Sequence, residues 1–288
     1  MTRTPRKKPE GAPPSAGVLA RYSRAYAQET GVAERRVRAW VAYMALAGVL
    51  ERFAIAADGY QFTIKGGVAL ELRIRERARA TEDIDLVLHH PDMELVDAVE
   101  QAIAAPGSDY QGFRFQRRKE PLYLENGTVH VELTVTYRGG SWTTIAVDIA
   151  REEPGEANVE LLDAIRFEDA LGIAGPAQLP CLSLRYHVAQ KLHGMTLPPR
   201  LGKRNERFKD LIDLILMEAL ITDYRGLREA CEEVFRSRAN HGWPPPLELP
   251  AHWRAPYAKL AAELRLPVSD AEEAMARVRA LVARIETS

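Results

Sequence analysis

The sequence predicts an α+β protein: a mixed or antiparallel sheet with flanking helices, a helical segment before it and a C-terminal helical domain after it. Three observations carry that expectation. In residues 129–137, Val129, Val131, Leu133, Val135 and Tyr137 alternate with His130, Glu132, Thr134 and Thr136, the period of a half-buried strand. Arg138-Gly139-Gly140-Ser141 then turns the chain into a second run, 142–149, so the two read as a β-hairpin. Beyond residue 155 the chain reads as almost wholly helical, its apolar residues recurring three and four apart.

Taken in order, residues 1–16 are Pro-rich and basic and are expected to form a disordered tail. Residues 17–55 form a helical segment divided by Gly31; Leu19, Tyr22 and Tyr26 make one apolar stripe, and Val37, Val41, Met44 and Ala45 another. The basic run Arg35-Arg36-x-Arg38 on such a pair also suits a helix-turn-helix reader, although packing against the next domain explains the same apolar positions. A core domain is assigned to 56–168. It holds a strand at 61–64, a helix at 68–77 and a strand at 84–88 entered by Asp83 and interrupted by Asp85. A helix at 93–105 turns Met93, Val96, Val99 and Ile103 inward, and a strand comes next at 112–116. In 142–149, Ile145, Val147 and Ile149 share one face, with Asp148 on the other.

The helical domain is assigned to 169–288. Its helix at 183–195 has Leu184, Val188, Leu192 and Met195 inward, with His187 and Lys191 along an edge where both face one cleft. Helix 207–222 buries Phe208, Leu211, Ile212, Ile215 and Ala219 and carries Asp210 and Asp213 on a common face. A helix at 225–238 and a rigid Pro-rich crossing at 242–250 come next. Ser269-x-x-Glu272 reads as a capping box opening a last helix, with Met275, Val278, Leu281, Val282 and Ile285 inward.

With 288 residues, the chain can bury one large core or two smaller ones, and 46% hydrophobic with 27% charged residues is a globular composition. No apolar run approaches a membrane span and the N-terminus lacks a signal-peptide core, so no membrane role is expected. Cys181 and Cys231 lie far apart, without metal-ligand spacing, which fits a reducing cytoplasm. The formal net charge is −1, but residues 1–40 carry nine Lys/Arg against three Glu, and 200–209 carry five against one. Local basic patches on a near-neutral chain suit a polyanionic ligand bound at a defined place, though solvated faces look the same.

Residues 62–88 carry the chemistry. Gly66-Gly67 between a strand and a helix lets the backbone approach a ligand, and the free N–H groups of a helix start favour an anion. Asp83 and Asp85, two apart on a strand, present both carboxylates to one side. Each feature alone is commonplace, a tight turn or a water-facing pair. In this order they are what metal-assisted phosphoryl or nucleotidyl transfer requires. Asp148 on a neighbouring strand would complete a three-carboxylate site, or be a surface residue of a one-sided sheet; periodicity leaves both open.

The order K-G-G-x-A-L (65–70), T-E-D-I-D-L (81–86), Q-K-L (190–192) and R-F-K-D-L-I-D-L (207–214) resembles the AbiEii-type nucleotidyltransferase toxins, which include the mycobacterial MenT toxins, in the DNA polymerase β-like superfamily. The resemblance spans about residues 60–220 and implies a polymerase β-like nucleotidyltransferase core. It assigns Asp83, Asp85 and Asp148 to two Mg²⁺ ions, and Lys65, Gly66, Gly67, Lys191, Arg207 and Lys209 to the nucleoside triphosphate. Lys191 and Asp210 join the three aspartates as catalytic. Gly67 stands where many members have serine, leaving backbone N–H groups to contact the triphosphate. The implied activity is transfer of a nucleotide to the 3′ end of a tRNA by the toxin of a toxin–antitoxin or phage-defence pair. A cognate antitoxin is implied as partner, with Thr81 as a phosphorylation candidate. A small-molecule or protein hydroxyl as acceptor, and a non-enzymatic nucleic-acid-binding regulator, are the rival readings.

Overall fold

The structure, a computed structural model, describes residues 9–56, 62–89, 93–153, 155, 158–199 and 202–288. Residues 1–8 of the expected tail, Gln61 at the start of the first expected strand and Arg200 of the basic cluster lie outside them. The chain divides into two compact units. The first takes Met1–Glu76, Ala80–Glu152 and Leu161–Cys181; the second takes Arg77–Arg79, Glu153–Glu160 and Leu182–Ser288.

The first unit opens with helices α1 (Ala16–Thr30) and α2 (Glu34–Ala56), separated by Gly31 in the left-handed conformation that ends a helix. Strand β1 (Phe62–Lys65) runs directly into α3 (Gly66–Ile74), and β2 (Asp83–Leu88) returns antiparallel to β1. Helix α4 (Leu95–Ala104) precedes β3 (Phe113–Arg117), the short β4 (Leu122–Tyr123), and the long hairpin β5 (Val129–Tyr137) and β6 (Gly140–Arg151). Strand β7 (Val159–Asp163), the single turn α5 (Glu168–Leu171) and β8 (Gln178–Leu182) come after it. The eight strands form one mixed sheet in the order β3-β5-β6-β2-β1-β8-β7, with β4 beside β5. Pairing of β2 with β6 and of β1 with β8 is parallel; β3–β5, β5–β6 and β1–β2 are antiparallel.

Alternation along β5 and β6 sends Val131, Leu133, Val135, Ile145, Val147 and Ile149 into the core, which Trp40, Tyr43, Leu46 and Leu50 of α2 enter as well. The expected inward residues of α4 hold for Val96 and Val99, while Met93 and Ile103 are only partly buried. The basic run of α2 faces its own unit: Arg36 pairs with Glu71, and Arg38 lies over the Trp142 ring and donates to the Trp142 carbonyl. Packing, rather than groove reading, uses these two arginines.

The second unit is built on α6 (Leu184–Met195), α7 (Phe208–Glu218), α8 (Leu227–Arg238), α9 (Arg254–Leu264) and α10 (Ala271–Glu286). Val188, Leu192, Leu211, Met217, Phe235, Trp253, Tyr257 and Met275 are among its buried residues.

Several expectations need correction. The chain after residue 155 is not almost wholly helical, because β7 and β8 complete the sheet; V-E-L-L-D and Q-L-P-C-L are too short to show a period. Helix α7 ends at Glu218, and Ala219 is exposed. The last helix is capped by Asp270, whose side chain accepts from the Glu272 and Glu273 N–H groups, and not by Ser269. His187 and Lys191 do not sit on an open edge of α6: they are 1% and 7% exposed.

Candidate active site

In the first unit the carboxylates are placed by register. Asp85 of β2 is the Cα partner of Asp148 on β6 and of Lys65 on β1, while Asp148 is the partner of His130 on β5. Paired residues share a face, so one row across the sheet reads His130, Asp148, Asp85, Lys65. Asp83 lies two residues before Asp85 on the same face. Asp148 stands directly beside Asp85 and is partly buried. Two carboxylates in adjacent register repel, and a cation relieves that repulsion.

Each aspartate is held by a neighbour. His130 Nδ1 lies 2.6 Å from Asp148 Oδ1. Thr81 Oγ1 donates to Asp83 Oδ1 at 3.1 Å. Helix α3 begins at Gly66 itself, with Lys65 at the cap making no side-chain bond to the first-turn N–H groups. Gly66 has φ +60°, and a Cβ there would stand 1.8 Å from Asp85 Oδ2. A Cβ on Gly67 would stand 2.3 Å from Thr81 Oγ1. Both glycines are therefore required by contact: one lets the helix start pass the Asp85 carboxylate, the other leaves room for the Thr81 hydroxyl. The hydroxyl absent from position 67 has a counterpart in Thr81, which occupies the adjacent space.

Behind this row, Tyr43 of α2 is 1% exposed. Burial, with Asp83, Glu71 and Asp85 nearby, pushes its phenol well above the usual range, so it stays protonated. Glu71 of α3 is equally buried and pairs with Arg36 at 2.8 Å. Burial raises its carboxyl pKa even so, with Arg36 pulling the other way.

In the second unit, Lys191 Nζ lies 2.9 Å from Asp210 Oδ1 and 2.8 Å from Asp213 Oδ2. Arg79 grips Asp213 with two bonds of 2.9 Å, and Arg207 Nε reaches Asp210 Oδ2 at 2.5 Å. The result is a chain of alternating charges: Arg207, Asp210, Lys191, Asp213, Arg79. Burial alone would raise the two carboxyl pKa values and lower that of the ammonium. The opposite charges win, holding both aspartates below their ordinary range and the lysine above its own. Gly194 is also needed here, because a Cβ on it would meet Arg207 Nε at 2.7 Å and Asp210 Oδ2 at 2.8 Å. Arg207 is 52% exposed in its side chain and Lys209 is exposed, so these two present charge to solvent.

The structure thus brings together Lys65, Gly66, Gly67, Thr81, Asp83, Asp85 and Asp148 within the first unit, and Lys191, Arg207 and Asp210 within the second. Sequence reasoning missed His130, Tyr43, Glu71 and Arg79. Only His130 left a signal, as a polar residue on the Asp148 face of the alternating hairpin. Carboxylate oxygens are the donors a hard divalent cation takes, and the row of aspartates fits one in chemistry and register. Among the described residues no three His, Cys, Asp or Glu groups already converge on one point; Asp83 and Asp148 are turned to Thr81 and His130.

A family model described as nucleotidyl transferase AbiEii toxin, type IV toxin–antitoxin system, matches residues 48–284. No curated protein matches. Among solved structures, MenT4, a nucleotidyltransferase toxin from Mycobacterium tuberculosis, is similar over 94% of this chain and 97% of its own, with TM-score 0.57 and 20% identity. An antigenic nucleotidyltransferase-like protein from Paracoccidioides brasiliensis aligns with 67% of this chain and 88% of its own, with TM-score 0.40 and 19% identity.

Proposed function

The chain belongs to the AbiEii family of nucleotidyl transferase toxins of type IV toxin–antitoxin systems, and from that premise we propose that it acts in the cytoplasm, moving a nucleotide from a nucleoside triphosphate to the 3′ end of a tRNA. The observation that carries this reading is the facing pair Asp85 and Asp148, with the uncapped, glycine-bearing start of α3 beside Asp85. Asp83, Asp85 and Asp148 are the residues that would hold two Mg²⁺ ions. When bound, such ions supply Lewis-acid stabilisation to the attacking and leaving oxygens of an in-line displacement.

The chain's own groups do the rest. First-turn N–H groups of α3 receive a phosphate, and Gly66 and Gly67 permit its close approach. His130 and Thr81 orient Asp148 and Asp83. Within the second unit, Asp210 fixes the direction of Lys191 and Arg207, and Arg207 and Lys209 present positive charge to solvent. The acceptor hydroxyl oxygen bonds to the α-phosphorus as the α–β bridge breaks. Pyrophosphate departs with the bond pair, and the hydroxyl proton passes to a carboxylate of the row. A tRNA blocked at this end is no longer aminoacylated, so growth stops.

The test is purified protein with Mg²⁺, each labelled triphosphate in turn, and total tRNA. Label is expected in tRNA with wild-type protein and absent with Asp85→Ala. Label in protein or in a small molecule instead, or an Asp85→Ala protein that labels tRNA at the wild-type rate, ends the proposal. A cognate antitoxin completes the system, and phosphorylation of Thr81 is a proposed means of silencing. It would place a charge of roughly −1.5 to −2 against Asp83. Thr81→Glu is then expected to be inactive, and full activity in that variant removes Thr81 as the switch.

A further inference from the structure

We propose that Arg36, on the amino-terminal helix, is a positioning residue for the acidic strand: its guanidinium clasps Glu71 and the end of α3, and so fixes where Thr81 and Asp83 lie. The inference rests on the role given to Asp83 above. It goes beyond the family assignment, because Arg36 lies outside the matched residues 48–284.

The three nitrogens of Arg36 divide among three acceptors of one short segment. Nε donates to Glu71 Oε1 at 2.8 Å, one terminal nitrogen to the Arg75 carbonyl at 3.3 Å, and the other to the Glu76 carbonyl at 3.4 Å. Carbonyls at a helix end have no donor within the helix, so an outside fork is a natural partner. The guanidinium lies 4.7 Å from the centre of the Trp40 ring, and the side chain is 12% exposed, which keeps water from competing. A lysine, with one compact ammonium, does not span three such acceptors.

Past Arg77–Arg79, which fall in the second unit, the chain re-enters the first at Ala80 and leads to the acidic strand. Arg75 has φ +57°, a left-handed backbone that a non-glycine residue holds only when its surroundings impose it. Residues 78–82 have no regular structure, so side-chain bonds set their course. The Thr81 hydroxyl then sits over Gly67 and donates to Asp83 Oδ1. Arg36 to Glu71 on α3, the start of α3 to Thr81 at Gly67, and Thr81 to Asp83 make a line of contacts within the first unit. By contrast Arg38, two residues on, stacks on Trp142 and donates to its carbonyl.

The test compares full-length Arg36→Lys, Glu71→Gln and Arg38→Lys with wild type. Hydrogen exchange of the amides at 78–85 is expected to speed up in the first two and to stay unchanged in Arg38→Lys. Calorimetric Mn²⁺ binding, and the Mg²⁺ needed for half-maximal transfer, are expected to weaken by about tenfold or more in the first two. Measured below each variant's melting transition, the KM for the acceptor should change little, which separates positioning from general loss of fold. Unchanged exchange at 78–85, or faster exchange with an unaltered metal requirement, overturns the proposal. Should Arg36→Lys melt below the assay temperature, Glu71→Gln decides alone. If wild-type protein transfers nothing to any acceptor, the proposed function fails, while exchange and metal binding still judge Arg36.

Discussion

At the scale of single residues, Gly66 and Gly67 are fixed by what a Cβ at either would meet. Gly66→Ala brings a Cβ into the Asp85 carboxylate and forces a left-handed φ, so a loss of about 1–3 kcal/mol in stability is expected together with loss of transfer. Denaturant titration and the tRNA labelling assay measure the two effects. Gly67 and Thr81 give a sharper case, because they compete for one space. Gly67→Ser alone should be strongly impaired by the clash with Thr81 Oγ1. Gly67→Ser combined with Thr81→Gly should recover part of the loss, since the new hydroxyl then fills the vacated volume. A double-mutant cycle with no coupling between the two positions would contradict that account.

At the scale of elements, α6 and α7 are joined by charge rather than by an apolar stripe alone. Asp213 is 0% exposed and holds both Arg79 and Lys191, so Asp213→Asn leaves two cations without their shared partner. Breaking such a buried network typically costs about 3–5 kcal/mol, and chemical denaturation should register a loss of that order. The same contacts set the sign of the pH dependence. Asp210 and Asp213 have folded pKa values below the ordinary aspartate range, so their stabilisation is full above about pH 4 and is lost as pH falls through the depressed values. Melting temperatures measured from pH 6 down to pH 2 should fall less steeply for Asp213→Asn than for wild type. This network also marks the limit of what a sequence period can show. The β5–β6 hairpin, the Asp83/Asp85 face and the apolar stripe of α10 are all visible as periods, because one side of each element is core and the other is not. The spacing of Asp210 and Asp213 places them on one face, but Lys191 reads as an edge residue, since a charge on a helix ordinarily faces water. Its burial depends on Arg79, more than a hundred positions away. Strands β7 and β8 leave no period at five residues each, and Asp270 is masked by Ser269 beside it because either residue caps a helix.

At the scale of the whole molecule, the amino-terminal helices belong to the core they precede. Trp40, Tyr43 and Leu46 are almost fully buried, and Arg38 stacks on Trp142. Removing residues 1–56 should therefore leave a chain without a cooperative melt in near-UV circular dichroism; a truncated protein that melts as sharply as wild type would show the helices to be dispensable. The parallel register of β2 on β6 has a consequence for the order in which the protein comes together. The β5–β6 hairpin needs only a tight turn, whereas Asp85 meets Asp148 across about sixty positions of chain, the slower kind of contact to close. In pulse-labelled refolding, amides of the hairpin should gain protection before those of 83–88. A polypeptide still emerging from the ribosome, with β5 made and β6 not, holds one half of the carboxylate pair and no counterpart for it. Catalytic competence would then arrive only at the end of folding, leaving the cell that makes this toxin an interval before there is anything to restrain.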